Sequence, residues 1–264
     1  MREFSRGGLR LWYEERGEGV PLLFLHGMGG SHRQVLAALD PMPGVRLIAP
    51  DMQGHGESGA AWDGFGFSSL ADDAAALADD LGIGEFWLGG ISLGAAVGVT
   101  LALRRPGRVK GLALVRPAWT DAPMAPDVRR LYALCAQYLE RSDLDGFMKT
   151  PEYASVSAIS AYTAGALTSF FRDPASLEHF RKFEVLPPSV PYSGADLKGL
   201  PAVPTIVIAC RNDLVHPFEL AEWHRDRIPG ARLYEIPDKD TDPEGHRARM
   251  NAHIRDWLGM GAAG

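Results

Sequence analysis

The segment WLGGISLGAAVG, Trp87 to Gly98, sets one serine among glycines, between an apolar run and a run of small residues. Gly90-Ile91-Ser92-Leu93-Gly94 fits the pattern G-x-S-x-G. A serine there can serve as a nucleophile if it sits on a sharp strand-to-helix turn with its hydroxyl raised above the strand ends. The positions two before and two after it come close to backbone and exclude large side chains, which Gly90 and Gly94 satisfy. The alternative is a tight packing joint of small residues with no chemistry. A nucleophilic serine also needs donors for the oxyanion, a base and an acid. In this arrangement one donor is the backbone N–H after the serine, that of Leu93, and the other comes from the loop after an earlier strand. The stretch LFLHGMGGS supplies such a loop; Met28 is the expected second donor and Gly27 the fallback. His26 is expected to hold that loop by hydrogen bonds, and Ser31 to cap the following helix.

Eight histidines compete for the base. His55 falls in a turn, His32 at a helix start, His179 in a helical stretch, and His224 and His253 inside surface helices. The expected chain order is serine, acid, histidine, with the histidine on a loop after the last strand. LYEIPDKDTDPEGHRARM offers a strand, a loop and then His246, which is therefore the expected base. The acid should follow the next-to-last strand, where TIVIACRNDLVHP presents Asp213; Asp121 is the weaker alternative. His216, close to Asp213, is expected to line the pocket entrance, with no proton-transfer role.

The elements that must position these groups follow from patterning. VPLLFLHG, VRLIAPD, EFWLGG, VKGLALVRP and VPTIVIACRND are short apolar runs, as suits strands buried on both faces of a parallel sheet. LRLWYEERGEG reads as a further strand and turn. Between them SSLADDAAALADDLG, SLGAAVGVTLALRRPG, PFELAEWHRDRIPG and EGHRARMNAHIRDWLG carry apolar residues at helical spacing. Alternating strands and helices imply an open, mainly parallel α/β sheet. Only the stretch from about Thr120 to Leu197 breaks the alternation. DVRRLYALCAQYLERSD, YASVSAISAYTAGALTSFF and PASLEHFRKFE are helical patterns there, with prolines at 187, 188, 191, 201 and 204 marking the return to strand. The division expected is a core of residues 1–119 and 198–264 and a helical insertion, or cap, of residues 120–197. Phe147, Tyr162, Phe170 and Phe171 of that insertion, with His216, are the expected pocket residues, although aromatic residues at helical spacing also serve simply to pack helices.

Composition narrows the function classes. The chain has 264 residues, 46% hydrophobic and 23% charged, which suits one large core or a core with an insertion. Its net charge of −6 argues against a nucleic-acid partner. The two cysteines, Cys135 and Cys210, form no C-x-x-C pair or His-rich cluster, so neither a disulfide framework nor a metal site is expected. No apolar run is long enough to span a bilayer, and the N-terminus lacks the apolar region of a secretory signal. The expectations are a cytoplasmic protein, monomeric or homodimeric, acting on a small molecule without a cofactor, and a frayed tail.

Taken in order, HGMGGS, PDMQGHGES, GGISLGA, RNDLVHP and the GH of DPEGH resemble the α/β-hydrolase fold superfamily over nearly the whole chain. That resemblance implies an eight-stranded, mostly parallel sheet flanked by helices, with a helical cap between strands six and seven. It also implies Ser92, Asp213 and His246 as nucleophile, acid and base, and the amides of Met28 and Leu93 as oxyanion donors. The loop PDKDTDPEG before His246 is longer and more acidic than the short approach common in relatives. A serine nucleophile argues against the family's epoxide hydrolases and haloalkane dehalogenases, which use a carboxylate. The expected function is hydrolysis of an ester, thioester or lactone of a small apolar or aromatic substrate through an acyl-enzyme. The alternatives are C–C bond hydrolysis of a β-diketone, cofactor-free perhydrolysis of the haloperoxidase type, a non-hydrolytic biosynthetic step, and a binding protein without catalysis on the same fold.

Overall fold

The computed structural model describes residues 1–200 and 202–259. Pro201 and the tail residues 260–264 lie outside them, and with them the expectation of a frayed tail. In chain order the elements are β1 (Arg2–Arg6), β2 (Leu9–Arg16), β3 (Val20–Leu25), α1 (His32–Ala38), β4 (Val45–Asp51), α2 (Phe67–Asp80), β5 (Phe86–Ile91), α3 (Leu93–Arg104) and β6 (Val109–Val115). The helices α4 (Pro126–Glu140), α5 (Leu144–Met148), α6 (Pro151–Ile159), α7 (Ala161–Ser169), α8 (Pro174–Glu178) and α9 (Lys182–Val185) follow. The chain then returns to β7 (Thr205–Ala209), α10 (Phe218–Arg227), β8 (Arg232–Glu235) and α11 (Pro243–Trp257).

The strands form one eight-stranded sheet in the order β1-β2-β4-β3-β5-β6-β7-β8. β1 and β2 pair antiparallel, as do β2 and β4; every later pairing is parallel. The hairpin strand β1 is an addition to the runs read from the sequence. Its short pattern buries only Phe4, so its apolar signal is weak.

Strand alternation assigns the two faces. Leu22 and Phe24 of β3 join Val35 and Leu39 around α1 and Met250, Ile254 and Trp257 of α11 on one face. Leu23 and Leu25 join Leu70, Ala74 and Leu77 of α2 and Val97 and Leu101 of α3 on the other. This is the period-two pattern of a sheet covered on both sides, and it explains why the strands read as continuous apolar runs. Between β6 and β7 the described residues are helical or irregular, without a strand. The pattern read as one helix from Tyr153 to Phe171 is split between α6 and α7 at Ser160. Ser160 is extended, with φ −146°, and its Oγ accepts the Thr163 N–H at 2.9 Å while donating to Asp240 at 2.5 Å. An N-cap that also binds the β8–α11 loop ends one helix and starts the next.

Among the described residues no helix is long and apolar enough to cross a membrane. Both cysteines are buried and free.

Candidate active site

Ser92 stands between the end of β5 and the first residue of α3, with φ 55° and ψ −107°. A non-glycine residue in that region carries backbone strain, and strain of this kind collects at functional sites. Its neighbours show why the turn is so tight. A Cβ on Gly90 would lie 2.2 Å from the Gly94 carbonyl carbon, and one on Gly94 would lie 2.3 Å from the Leu25 carbonyl oxygen. The Ser92 N–H donates to Val115 O of the adjoining strand at 2.9 Å, which pins the turn to the sheet.

The Ser92 hydroxyl donates to His216 Nε2 at 2.8 Å, and His216 Nδ1 donates to Asp213 Oδ1 at 2.8 Å. The acid and the imidazole come from one turn after β7. Asn212 takes a left-handed φ of 59° there, which swings Asp213 inward. Asp213 Oδ1 also accepts the backbone N–H groups of Val215 and His216, each at 3.1 Å. Its other oxygen accepts Nη1 of Arg116, from the end of β6, at 3.0 Å. This pair is buried, with both side chains 10% exposed or less. Burial alone would raise the Asp213 carboxyl, but His216 and Arg116 outweigh it and hold the group well below the usual carboxylate range. Burial is also the largest influence on His216 and lowers it, although Asp213 pulls the other way. The result at neutral pH is an ionised acid beside a neutral imidazole with Nε2 free to accept a proton.

His246 takes a different place from the one expected of it. It lies in the first turn of α11, where its Nδ1 donates to Pro237 O at 2.7 Å, and no hydrogen bond joins it to Ser92 or Asp213 among the described residues. Asp242 is the N-cap of that helix and accepts the Gly245 N–H at 2.8 Å, and Pro243 fills the first helical position. The helix therefore starts before His246 and carries it away from the loop. His216, read only as an entrance residue, occupies the position the base was expected to take. The signal for it was the spacing Asp-x-x-His: a turn aspartate that accepts the N–H of the third residue on brings that residue's side chain alongside its own carboxylate.

The loop after β3 lies against the serine, since a Cβ on Gly27 would sit 3.6 Å from Ser92 Cβ. The Gly27 N–H is taken by Gln34 Oε1 at 2.7 Å, which removes it as an oxyanion donor. The Met28 N–H has no acceptor among the described residues. Leu93 is the first residue of α3, so its N–H has no acceptor within the helix. His26 holds the loop: Nδ1 donates to Gly27 O at 2.8 Å and Nε2 accepts the Met52 N–H at 3.0 Å. Burial, chiefly, lowers its pKa to about 4, so it stays neutral in this role. Ser31 caps α1 by accepting the Arg33 N–H.

Above the serine is a cavity of about 450 Å³, bounded by the β3–α1 loop, the β7 turn and α7. Of the aromatic residues expected to line it, Tyr162 and Phe170 do, as does His216. Phe147 and Phe171 do not; they stack on each other at 5.3 Å within the helical stretch, with Phe147 completely buried. Tyr132 and Arg116 also line the cavity and went unnoticed as site residues in the sequence.

A sequence profile described as alpha/beta hydrolase fold matches residues 20–240. The chain is 31% identical over 122 residues to the AB hydrolase superfamily protein YisY of Bacillus subtilis, covering 44% of this chain and 46% of that protein. The chain thus spans less than half the length of that relative. A 2-hydroxymuconate semialdehyde hydrolase of Pseudomonas putida is 29% identical over 261 residues, covering 88% of this chain and 84% of that protein. Among solved structures, a thermophilic esterase from Thermogutta terrifontis matches 98% of both chains with a TM-score of 0.76 at 23% identity, a likeness of fold. With its eight-stranded sheet, its serine turn between β5 and α3 and a family profile spanning most of its length, the chain belongs to the alpha/beta hydrolase fold family.

Proposed function

We infer that the protein is a serine hydrolase that cleaves a carboxylic ester, thioester or lactone of a small molecule through an acyl-enzyme, with Ser92, His216 and Asp213 as nucleophile, base and acid. The observation that carries this reading is the continuous chain of two 2.8 Å hydrogen bonds from Ser92 through His216 to Asp213. Ser92 Oγ attacks the carbonyl carbon, an Oγ–C bond forms, and His216 Nε2 takes the hydroxyl proton. Asp213 holds the ring's Nδ1–H and stabilises the imidazolium. The N–H groups of Met28 and Leu93 receive the oxyanion. The tetrahedral intermediate collapses, and the leaving group departs with the proton from His216. Water then attacks the acyl carbon, giving its proton to His216, and the second collapse returns that proton to Ser92 Oγ. The helical stretch from α4 to α9 serves as a cap. Phe170 and Tyr162 form apolar walls, and a cavity of about 450 Å³ suits a small acyl group.

The test is the rate of modification by a neutral fluorophosphonate, followed by intact mass. Wild type should gain one adduct, and Ser92→Ala none. His216→Ala should slow labelling about 10³-fold or more, and His246→Ala by far less. The reverse order for the two histidines would return the base to His246, and no adduct on folded wild type would remove the nucleophile altogether. A panel of esters, lactones and β-diketones then ranks the substrate classes.

A further inference from the structure

A second cavity, of about 260 Å³, lies against the first on the α1 and α11 side of the sheet. Gln34, Ile91, Arg116 and Tyr162 line both, so the two share a wall. Among the described residues its lining contains no aspartate or glutamate, but it contains Arg116, Lys239, His246 and Arg247. Arg247 is paired with Asp40 and is half exposed. The other basic groups are less well matched. Arg116 has a side chain only 6% exposed and one Nη atom on Asp213, while its buried Nε has no hydrogen-bond partner among the described residues. A buried, unpartnered guanidinium donor carries a desolvation cost that a bound acceptor removes. Lys239 Nζ donates to Tyr162 Oη at 2.7 Å and stands 4.2 Å from that ring's centroid; it forms no ion pair among the described residues. The carboxylates nearest to it in sequence are committed elsewhere. Asp238 accepts the N–H groups of Asp240 and Thr241, and Asp240 accepts from Ser160 and the Tyr162 N–H.

Resting on the serine-hydrolase reading, we propose that this second cavity binds a carboxylate carried by the substrate, with Arg116 and Lys239 as its cationic partners, while the scissile carbonyl lies at Ser92 in the adjoining cavity. The substrate class is then an ester, thioester or lactone whose acyl or leaving portion bears a second, ionised acid group. The electrostatics agree. Burial followed by Arg116 lowers Lys239 to about 7, and burial followed by Arg116 and Lys239 lowers His246 to about 4. These basic groups work against each other's charge, and an anion between them relieves that strain. Gln34 is already fixed by the Gly27 N–H, so the shared wall is rigid on one side. A carboxylate held at Arg116 would also touch the residue that anchors Asp213, tying recognition of the charge to the acid of the triad.

Two measurements test this. Titration calorimetry of glutarate against Ser92→Ala protein, with and without Lys239→Met, reads binding without turnover. The kcat/KM ratio of 4-nitrophenyl hemiglutarate to 4-nitrophenyl butyrate, in wild type and Lys239→Met, reads its use in catalysis. Glutarate should bind the Ser92→Ala protein, bind at least tenfold more weakly when Lys239→Met is added, and recover with Lys239→Arg. The ester ratio should fall at least tenfold in Lys239→Met. No glutarate binding at millimolar concentration, or binding indifferent to Lys239→Met, overturns the proposal. So does an unchanged ester ratio, which would make any bound anion a free effector rather than part of the substrate. If wild type hydrolyses neither ester and gains no fluorophosphonate adduct, the serine-hydrolase reading fails; in either case the glutarate titration still decides whether the cavity takes a carboxylate.

Discussion

The loops after β7 and β8 look alike on paper, and the structure uses them differently. Each leaves a parallel strand at the sheet's C-terminal edge, carries one aspartate or more, and reaches a histidine just before or within a helix. After β7 the histidine comes three residues beyond the aspartate. The aspartate accepts two backbone N–H groups and the ring Nδ1–H, so local turn geometry brings the imidazole to a carboxylate that Arg116 steadies from the end of β6. After β8 the aspartates cap the next helix and bind α7, and His246 bonds back to Pro237 O. A histidine near a carboxylate in sequence is thus not equivalent to one held by it; what differs is which donors the carboxylate accepts from.

Kinetics of ester hydrolysis put this contrast to the test. Ser92→Ala and His216→Ala should each lower kcat/KM about 10⁴- to 10⁶-fold, whereas His246→Ala should cost at least a hundredfold less than His216→Ala. Equal losses from the two histidines would erase the distinction between the loops. Asp213→Asn should lower kcat about 10³- to 10⁴-fold by disturbing the tautomer and orientation of His216. The same change strands the Arg116 guanidinium, and denaturant unfolding should show about 3 kcal/mol of lost stability. Asp240→Ala, on the other loop, should leave the triad assembled and loosen the α6–α7 junction through Ser160 and Tyr162, a loss of about 1 kcal/mol read in the same unfolding experiment.

How much of this was legible depends on how local the physics is. The sheet and the serine turn could be read because apolar runs and obligate glycines act within a few residues; at Gly90 and Gly94 any Cβ would strike backbone. Which histidine reaches Ser92 could not be read by chain order alone. The Asp242-Pro243-Glu244 start of α11 was a helix-start signal visible in the sequence, and it places His246 inside the helix. Arg116 gave no sequence signal, since its role rests on a partner 97 residues away. Phe147 and Phe171 show the converse: aromatic character at helical spacing cannot say whether a ring faces a cavity or another ring.

The pH responses are smaller and distinguish the loops again. His216 must be neutral to accept the serine proton, and its pKa is lowered by burial, so kcat/KM should hold as pH falls through the ordinary histidine value of about 6.5 and decline only below it. Lys239 contributes to that lowering, so Lys239→Met should move the acid limb to higher pH. Stability has its own dependence. His26, His224 and His246 all have pKa values lowered to about 4, chiefly by burial. Below about 6.5 the unfolded chain binds protons that the folded one refuses, so their contribution is intact above that pH and drains away as pH drops toward 4. Melting temperature measured across that window should fall steadily, and His246→Gln should make the decline shallower.

On the reading proposed above, acid and base stand on one turn, which has a consequence for descent and for engineering. Asp213 and His216 form a portable cassette: their mutual geometry is encoded by a few contiguous residues and does not wait for two distant loops to meet. On that reading the β8–α11 loop, with no proton to transfer, can lengthen, turn acidic and take on recognition without the chemistry being rebuilt each time. Recombination that exchanges that loop between relatives should change what the protein accepts far more readily than whether it works.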